Sequence, residues 1–138
     1  MDPLEARARF ARERVARLAT IRPDGSPHLV PIVFALEEDV VWIAVDDKPK
    51  RSRDLRRLAN VEVEPRVCVL ADRYEDRDWS LLWWVRGDGV ARVVRDPDGI
   101  GRAASLLGAK YPQHADHPPR GPAIAIEVDR WSGWAAAP

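Results

Sequence analysis

The segment Lys48-Pro49-Lys50-Arg51-Ser52-Arg53-Asp54-Leu55-Arg56-Arg57 sets six lysines and arginines against one aspartate, a local charge of +5. The whole chain balances 22 basic against 22 acidic residues, so the charge is placed locally, and a localised anion is its natural partner. Ser52 fits a helix N-cap, and a helix opening there offers unpaired N–H groups and a partial positive charge. With Lys50, Arg51 and Arg53 beside the Ser52 hydroxyl, the segment has the makings of a phosphate cradle. The competing account is a solvated basic helix that only balances the acidic loop at 72–78. Composition does not choose between the two.

The tryptophans are a second constellation. Six of them, at 42, 79, 83, 84, 131 and 134, exceed what the core of a 138-residue chain needs. Adjacent Trp83 and Trp84 must point to opposite faces of a strand, one to the core and one to a partner or ligand. A core or a subunit interface accounts for most of the six, and a flat cofactor ring would pack against the same surfaces. Both roles hold together if a ligand sits at a dimer interface.

Other chemistries are set aside on spacing. His28, His114 and His117 have no second ligand at helix spacing, and Cys68 between Val67 and Val69 reads as a core residue with no disulfide partner. There is no G-x-S-x-G elbow and no P-loop. Gly99-Ile100-Gly101-Arg102-Ala103-Ala104 fits the dinucleotide fingerprint G-x-G-x-x-A. The fingerprint needs a second parallel strand ending in an acidic residue about 20 positions on, and Pro118-Pro119-Arg120-Gly121-Pro122 occupies that region instead. Formal neutrality and the lack of aromatic residues within 48–57 argue against a nucleic-acid module. No apolar run approaches the ~20 residues of a membrane span, and Met1-Asp2-Pro3-Leu4-Glu5 lacks the regions of a signal peptide, so a soluble cytoplasmic protein is expected.

These residues need elements to position them. At 138 residues and 46% hydrophobic, one domain with one core is expected. Asp2-Pro3 opens a helix with Leu4, Ala8, Ala11 and Val15 on one face. Strands are expected at 18–21, 28–36 and 40–46, the first two joined by the turn Arg22-Pro23-Asp24-Gly25-Ser26-Pro27. Pro31 cannot donate to a ladder and marks an edge, a bulge or a ligand-facing wall. A helix over 53–60 buries Leu55 and Leu58 and ends at Asn60. Further strands follow at 66–71, from Leu81 towards Val94 and at 123–128, with a helix from Asp96-Pro97 to about Ala109. Turn rules leave Gly87-Asp88-Gly89 open as a reversal or a glycine bulge. The pattern is mainly β (α+β), a small six-stranded antiparallel barrel with a few short helices.

The order Leu18-Ala19-Thr20-Ile21, Asp24-Gly25-Ser26-Pro27-His28, Pro31-Ile32-Val33-Phe34, then Lys50 to Arg57 and Arg66-Val67-Cys68-Val69, resembles the split β-barrel flavin and deazaflavin oxidoreductases. These are often called pyridoxamine 5′-phosphate oxidase-like. Asp78-Trp79-Ser80 and Leu82-Trp83-Trp84-Val85-Arg86 resemble the actinobacterial branch that uses the deazaflavin coenzyme F420. The likeness runs over roughly 15–134 and rests on the order and spacing of the motifs. It implies an FMN-binding split barrel and a homodimer with cofactor in the grooves between subunits.

Carried over position by position, the resemblance implies that Lys50, Arg51, Ser52 and Arg53 hold the cofactor phosphate. His28, Pro31, Val33, Ala44 and Asp46 would line the ring and ribityl chain. Trp83, Trp84 and Arg86 would come from the other subunit, and the tail Trp131-Ser132-Gly133-Trp134, Trp131 included, would close the groove. Arg56 and Arg57 are expected at solvent or an interface. The strand after Trp84 is expected to continue through a bulge at 87–89. Strand two departs from the flavin-oxidase pattern, carrying His28 and Val33 where Arg and Lys are usual, so F420 is preferred and FMN is the alternative. The implied activity is hydride transfer between reduced F420 and an unsaturated small-molecule substrate, with Tyr74, Tyr111 and His28 as candidate proton donors and no catalytic residue assigned. A non-catalytic flavin or F420 carrier would share every binding residue.

Overall fold

Local chemistry starts the first helix. The Asp2 carboxylate accepts from the Leu4 N–H at 2.7 Å and Pro3 takes the first helical position, giving α1 over Pro3–Arg12. A computed structural model describes residues 1–45 and 52–137, and the side chains of all of these except 52–55. The buried face of α1 is Ala6 and Phe10, whereas Leu4 and Val15 are exposed. The expected stripe through Leu4, Ala8, Ala11 and Val15 is displaced because Phe10 has the largest apolar surface to hide. Its ring stacks 4.4 Å from Phe34 and 5.3 Å from Trp131, contacts of about 0.5–1.5 kcal/mol each beyond simple burial.

The strands are β1 (Ala16–Ile21), β2 (Pro27–Ile32), β3 (Ala35–Glu37), β4 (Val40–Ala44), β5 (Arg66–Arg73), β6 (Trp83–Val94) and β7 (Ala123–Ala135). The helices after α1 are α2 (Ser52–Val63), α3 (Pro97–Lys110) and α4 (Pro112–Asp116). All strand pairs are antiparallel in one sheet of order β2-β1-β5-β6-β7-β4-β3. Mainly antiparallel architecture is thus as expected, with seven strands instead of six among the described residues and with β2 and β3 at the two edges of the sheet. Pro31 lies on one of those edges, where its missing N–H costs no ladder bond.

The extra strand comes from a break at Val33-Phe34. The expected strand 28–36 divides there, and its halves join opposite edges of the sheet. The Phe34 backbone leaves the ladder to bond a side chain: its N–H donates to the Tyr111 hydroxyl at 3.1 Å, and that hydroxyl lies 2.9 Å from the Phe34 and Arg14 carbonyls, to either of which it can donate. The Phe34 ring is fully buried.

β6 runs unbroken through Gly87-Asp88-Gly89, as the bulge reading expects. The added residue is on the partner strand: Asp88 pairs with Arg130 and Gly89 with Val128, leaving Asp129 of β7 unpaired. The bulge lets β7 continue to Ala135, so the expected tail 131–134 is part of a strand. Trp131 turns into the core, where its indole N–H donates to Asp39 Oδ1 at 3.0 Å. That bond, and then one from Arg7, hold the Asp39 carboxyl below the usual range.

Alternation sorts the sheet into two faces. The inner face carries Leu18, Ile32, Val41, Ile43, Val67, Val69, Val85 and Ile126, closed by Ala6 and Phe10 of α1 and by Leu58 and Val61 of α2. On the other side α3 covers Trp42, Val94, Ala123 and Ala125. Gly99 and Gly101 lie inside α3, and the Gly99 N–H is capped by Asp96 at 2.8 Å, so the fingerprint-like glycines serve a helix start. Among the described residues no helix is long and apolar enough to cross a membrane.

Candidate functional site

Thr20 anchors one corner of the site. It points inward from β1, is 1% exposed, and pairs across the hairpin with His28 of β2. Over it lies Asn60, 3% exposed, whose Nδ2 donates to Thr20 Oγ1 at 3.0 Å. A buried amide with no partner would be costly, and this bond ties α2 to the β1–β2 hairpin. Asn60 therefore does not end its helix, which continues to Val63. Residues 56 and 57 precede Asn60 by four and three positions and so share its helix face one turn nearer the N-terminus. Arg56 and Arg57 are brought within electrostatic reach of His28 in this way.

His28 is half-buried, and its Nδ1 is fully buried with no hydrogen-bond partner among the described residues. Burial first, then the charges of Arg22, Arg57 and Arg56, hold its imidazole below the ordinary histidine value. The Arg22 guanidinium is fixed by the hairpin, its Nη1 donating to the Pro27 carbonyl at 2.5 Å. Among the described residues this corner sets a buried ring nitrogen without a hydrogen-bond partner beside the charges of Arg22, Arg56 and Arg57.

The second part of the site is the outer face of β5, β6 and β7. Trp84, Arg86 and Asp88 succeed one another on it at every second residue. The Arg86 guanidinium lies 5.4 Å from the Trp84 ring centre, and its Nε is 3.3 Å from Asp88 Oδ2. The registers set Trp134 and Asp72 beside Trp84, Ser132 and Leu70 beside Arg86, and Arg130 and Cys68 beside Asp88. Leu29, Leu70, Val90 and Trp134 are exposed on this face. Burial, then the Asp88 charge, push the Cys68 thiol up and away from reactivity. A planar ring held by a stacked cation suits a flat aromatic ligand or a second subunit.

The residues expected at the site divide into groups. Trp84 and Arg86 stand together on the outer face. Trp83 points to the other side, packs on the core and takes the Arg9 guanidinium 5.4 Å over its ring. Trp131 is likewise in the core. His28 and Pro31 lie on opposite faces of β2, while Val33 is exposed just beyond it and Ala44 ends β4 half-buried. Ser52 and Arg53 open α2. Asp46, Lys50 and Arg51, together with the side chains of Ser52 and Arg53, lie outside the described residues, so the phosphate cradle at 50–53 does too. Arg56 is exposed, in line with the expectation of solvent or an interface, and Arg57 is half-buried; both charges also act on His28. An asparagine at the end of an R-R-x-x-N spacing was the sequence signal for that face.

The tyrosines expected as proton donors are occupied. Tyr111 holds the Phe34 backbone, and the Tyr74 hydroxyl donates to Asp76 Oδ1 at 2.9 Å on an exposed loop. Among the described residues no group of three His, Cys, Asp or Glu is placed to hold a metal.

The sequence profile of the family described as pyridoxamine 5′-phosphate oxidase matches residues 3–135. No curated protein matches the chain. Among solved structures, a conserved hypothetical protein from Mycobacterium tuberculosis is similar at TM-score 0.80 and 23% identity, covering 99% of this chain and 86% of its own. A FAD-binding protein from Mesorhizobium loti gives TM-score 0.74 at 21% identity, with 96% and 94% covered. A FAD-binding protein from Mycobacterium smegmatis gives 0.66 at 19%, with 97% and 96% covered. At these identities the likeness is one of fold.

Proposed function

Since the chain belongs to the pyridoxamine 5′-phosphate oxidase family, we propose that it is an oxidoreductase that binds coenzyme F420 at the interface of a homodimer and reduces an unsaturated small molecule. The cofactor, when bound, supplies hydride transfer as its own chemistry. The chain's residues supply placement and exclusion of water. The N-terminal end of α2, with Lys50, Arg51, Ser52 and Arg53, would hold the phosphate. His28 and the strand residues Pro31, Val33 and Ala44, with Asp46, would line the ring and its side chain. Trp84 and Arg86 of the second subunit would cover the ring.

The observation that carries this reading is the Trp84–Arg86 pair, a flat side chain held by a stacked guanidinium on a face that leaves Leu29, Leu70, Val90 and Trp134 exposed. Burying such a face against a second copy removes apolar surface from water at about 25 cal/mol per Å². His28 and Val33 in place of basic residues on strand two favour F420. The FAD-binding proteins of similar fold favour a second reading, in which FMN or another flavin occupies the groove.

Paired titration of purified protein with F420 and FMN tests the choice. Tighter binding of F420, followed by oxidation of reduced F420 by an enone, imine or quinone, is the expected result. Protein that retains yellow FMN and fails to bind F420 would overturn it. Tight binding without turnover across a panel of acceptors would identify a carrier instead.

A further inference from the structure

We propose that Lys110 is a carbon dioxide site, its side-chain amine forming a carbamate whose carboxylate pairs with Arg14. The site does not depend on which cofactor the protein binds. Lys110 closes α3 where that helix meets the end of α1 and the break after β2. Its Nζ donates to the Ala11 carbonyl at 3.3 Å and lies 3.7 Å from the Phe34 ring centre. Arg14 is fixed beside it: the guanidinium donates to the backbone carbonyl of Lys110 itself and stands 5.5 Å from the Tyr111 ring centre, with Lys110 Nζ 5.3 Å from the same ring. Two cations thus share one corner. Lys110 is half-buried, and among the described residues neither cation has a carboxylate within ion-pair distance. A cation drawn out of water is ordinarily paired, so this corner lacks an anion.

Carbon dioxide supplies that anion on the lysine itself. The charged and titratable groups around the amine are Glu13 and Arg14 at the end of α1 and Tyr111 next in the chain, with His114 edge-on to the Tyr111 ring at 6.0 Å. Burial and then Arg14, with Glu13 opposing, bring the amine's pKa to about 8. At pH 8 about half of it is free amine, against about one in 300 for a lysine at its ordinary value of 10.5. A desolvated amine beside a second cation is an activated nucleophile. Its lone pair forms the N–C bond to carbon dioxide, one C=O electron pair moves onto oxygen, and one N–H proton passes to solvent. Nothing is oxidised or reduced. The product keeps an N–H for the Ala11 carbonyl and replaces the repulsion between Lys110 and Arg14 by an ion pair. Carbon dioxide is small, uncharged and apolar, which suits a nitrogen lying over a phenyl face.

Full-length protein equilibrated with isotopically labelled bicarbonate at about pH 8, then alkylated with triethyloxonium to convert any carbamate to a stable ethyl ester, tests this by mass spectrometry. The chain has three lysines, at 48, 50 and 110, so the assignment is direct. Label on Lys110 is expected to exceed that on Lys48 or Lys50 by about tenfold or more, with the α-amine of Met1 as the internal standard for a reactive amine. Arg14→Gln, an exposed change, should lower the Lys110 label several-fold and leave Met1 as it was. Bicarbonate should also raise the thermal unfolding midpoint of wild type at fixed ionic strength, because lysine 110 of the unfolded chain stays protonated and takes up no carbon dioxide. Lys110→Met should lose that rise. A Lys110 label no greater than that of Lys48 and Lys50 in folded wild type overturns the proposal. Stabilisation by formate equal to that by bicarbonate, with no label on Lys110, overturns it too and marks a simple anion site.

Discussion

Gly89 lies so close to the backbone of Glu127 that a Cβ added to it would stand 2.2 Å from the Glu127 carbonyl oxygen. The contact is made where the unpaired Asp129 shifts the β6–β7 register, and that shift sends Trp131 inward. Gly87, two residues earlier, is less confined: its Cβ would meet the side chains of Trp131 at 3.0 Å and of Val128 and Val69 at 3.2 Å. Gly89→Ala is expected to cost about 3 kcal/mol or more, because backbone must move, and Gly87→Ala about 1–2 kcal/mol, because side chains can adjust. Urea denaturation gives the order, and equal losses would contradict the bulge geometry.

Asn60→Ala leaves the Thr20 hydroxyl buried without its donor and should destabilise the protein by about 1–3 kcal/mol. The pair Thr20→Val with Asn60→Leu, which removes both polar groups, should lie closer to wild type than either single change. Because the same bond sets α2 over His28, Asn60→Ala should also weaken cofactor binding in protein that remains folded.

The two adjacent tryptophans should behave oppositely. Trp83→Ala opens space against the core and is expected to cost about 2 kcal/mol of stability. Trp84→Ala should leave subunit stability nearly unchanged while lowering subunit association and cofactor affinity. Sedimentation on dilution and cofactor titration separate the two, and a stability loss at Trp84 equal to that at Trp83 would exclude the outer-face assignment.

Tyr111→Phe removes the hydroxyl that accepts from the Phe34 N–H and serves the nearby carbonyls, with an expected loss of about 1–2 kcal/mol. Turnover per folded enzyme should stay near wild type. Were Tyr111 the proton donor, its loss would slow reduction by ~10²–10⁴-fold.

Lys110 gives a pH prediction. Its ammonium lies 3.7 Å over the Phe34 ring centre and donates to the Ala11 carbonyl at 3.3 Å. Burial, and then the charge of Arg14, bring its pKa down from 10.5 to about 8, with Glu13 opposing. Between those values the unfolded chain keeps a proton that the native protein releases, so this lysine makes stability rise from about pH 8 to 10.5. Raised Tyr111 and Cys68 act in the opposite sense, so the difference between wild type and Lys110→Met isolates the effect. The variant should be the more stable at pH 7, and the gap should close as pH rises through this window.

Residues adjacent in the chain were enough to fix the local elements. Asp2-Pro3 and Asp96-Pro97 start helices because cap geometry needs only neighbouring residues. The turn at Arg22–Pro27, the strands near 66 and 83, and the opposition of Trp83 to Trp84 follow from φ preferences and from the period of two in a strand. Mainly antiparallel architecture was legible from these signals together with the resemblance.

Tertiary structure decided whatever depended on residues distant in the chain. The strand 28–36 divides because Tyr111, 77 positions after Phe34, captures its backbone. The bulge falls on Asp129, not on the glycines of β6, because register belongs to a pair of strands and one added residue on either strand shifts it. The charges of Arg56 and Arg57 act on His28 because a buried bond from Asn60 to Thr20 fixes which helix face meets the sheet. Local patterns set which residues alternate or cap; only long-range pairing sets what each of them faces.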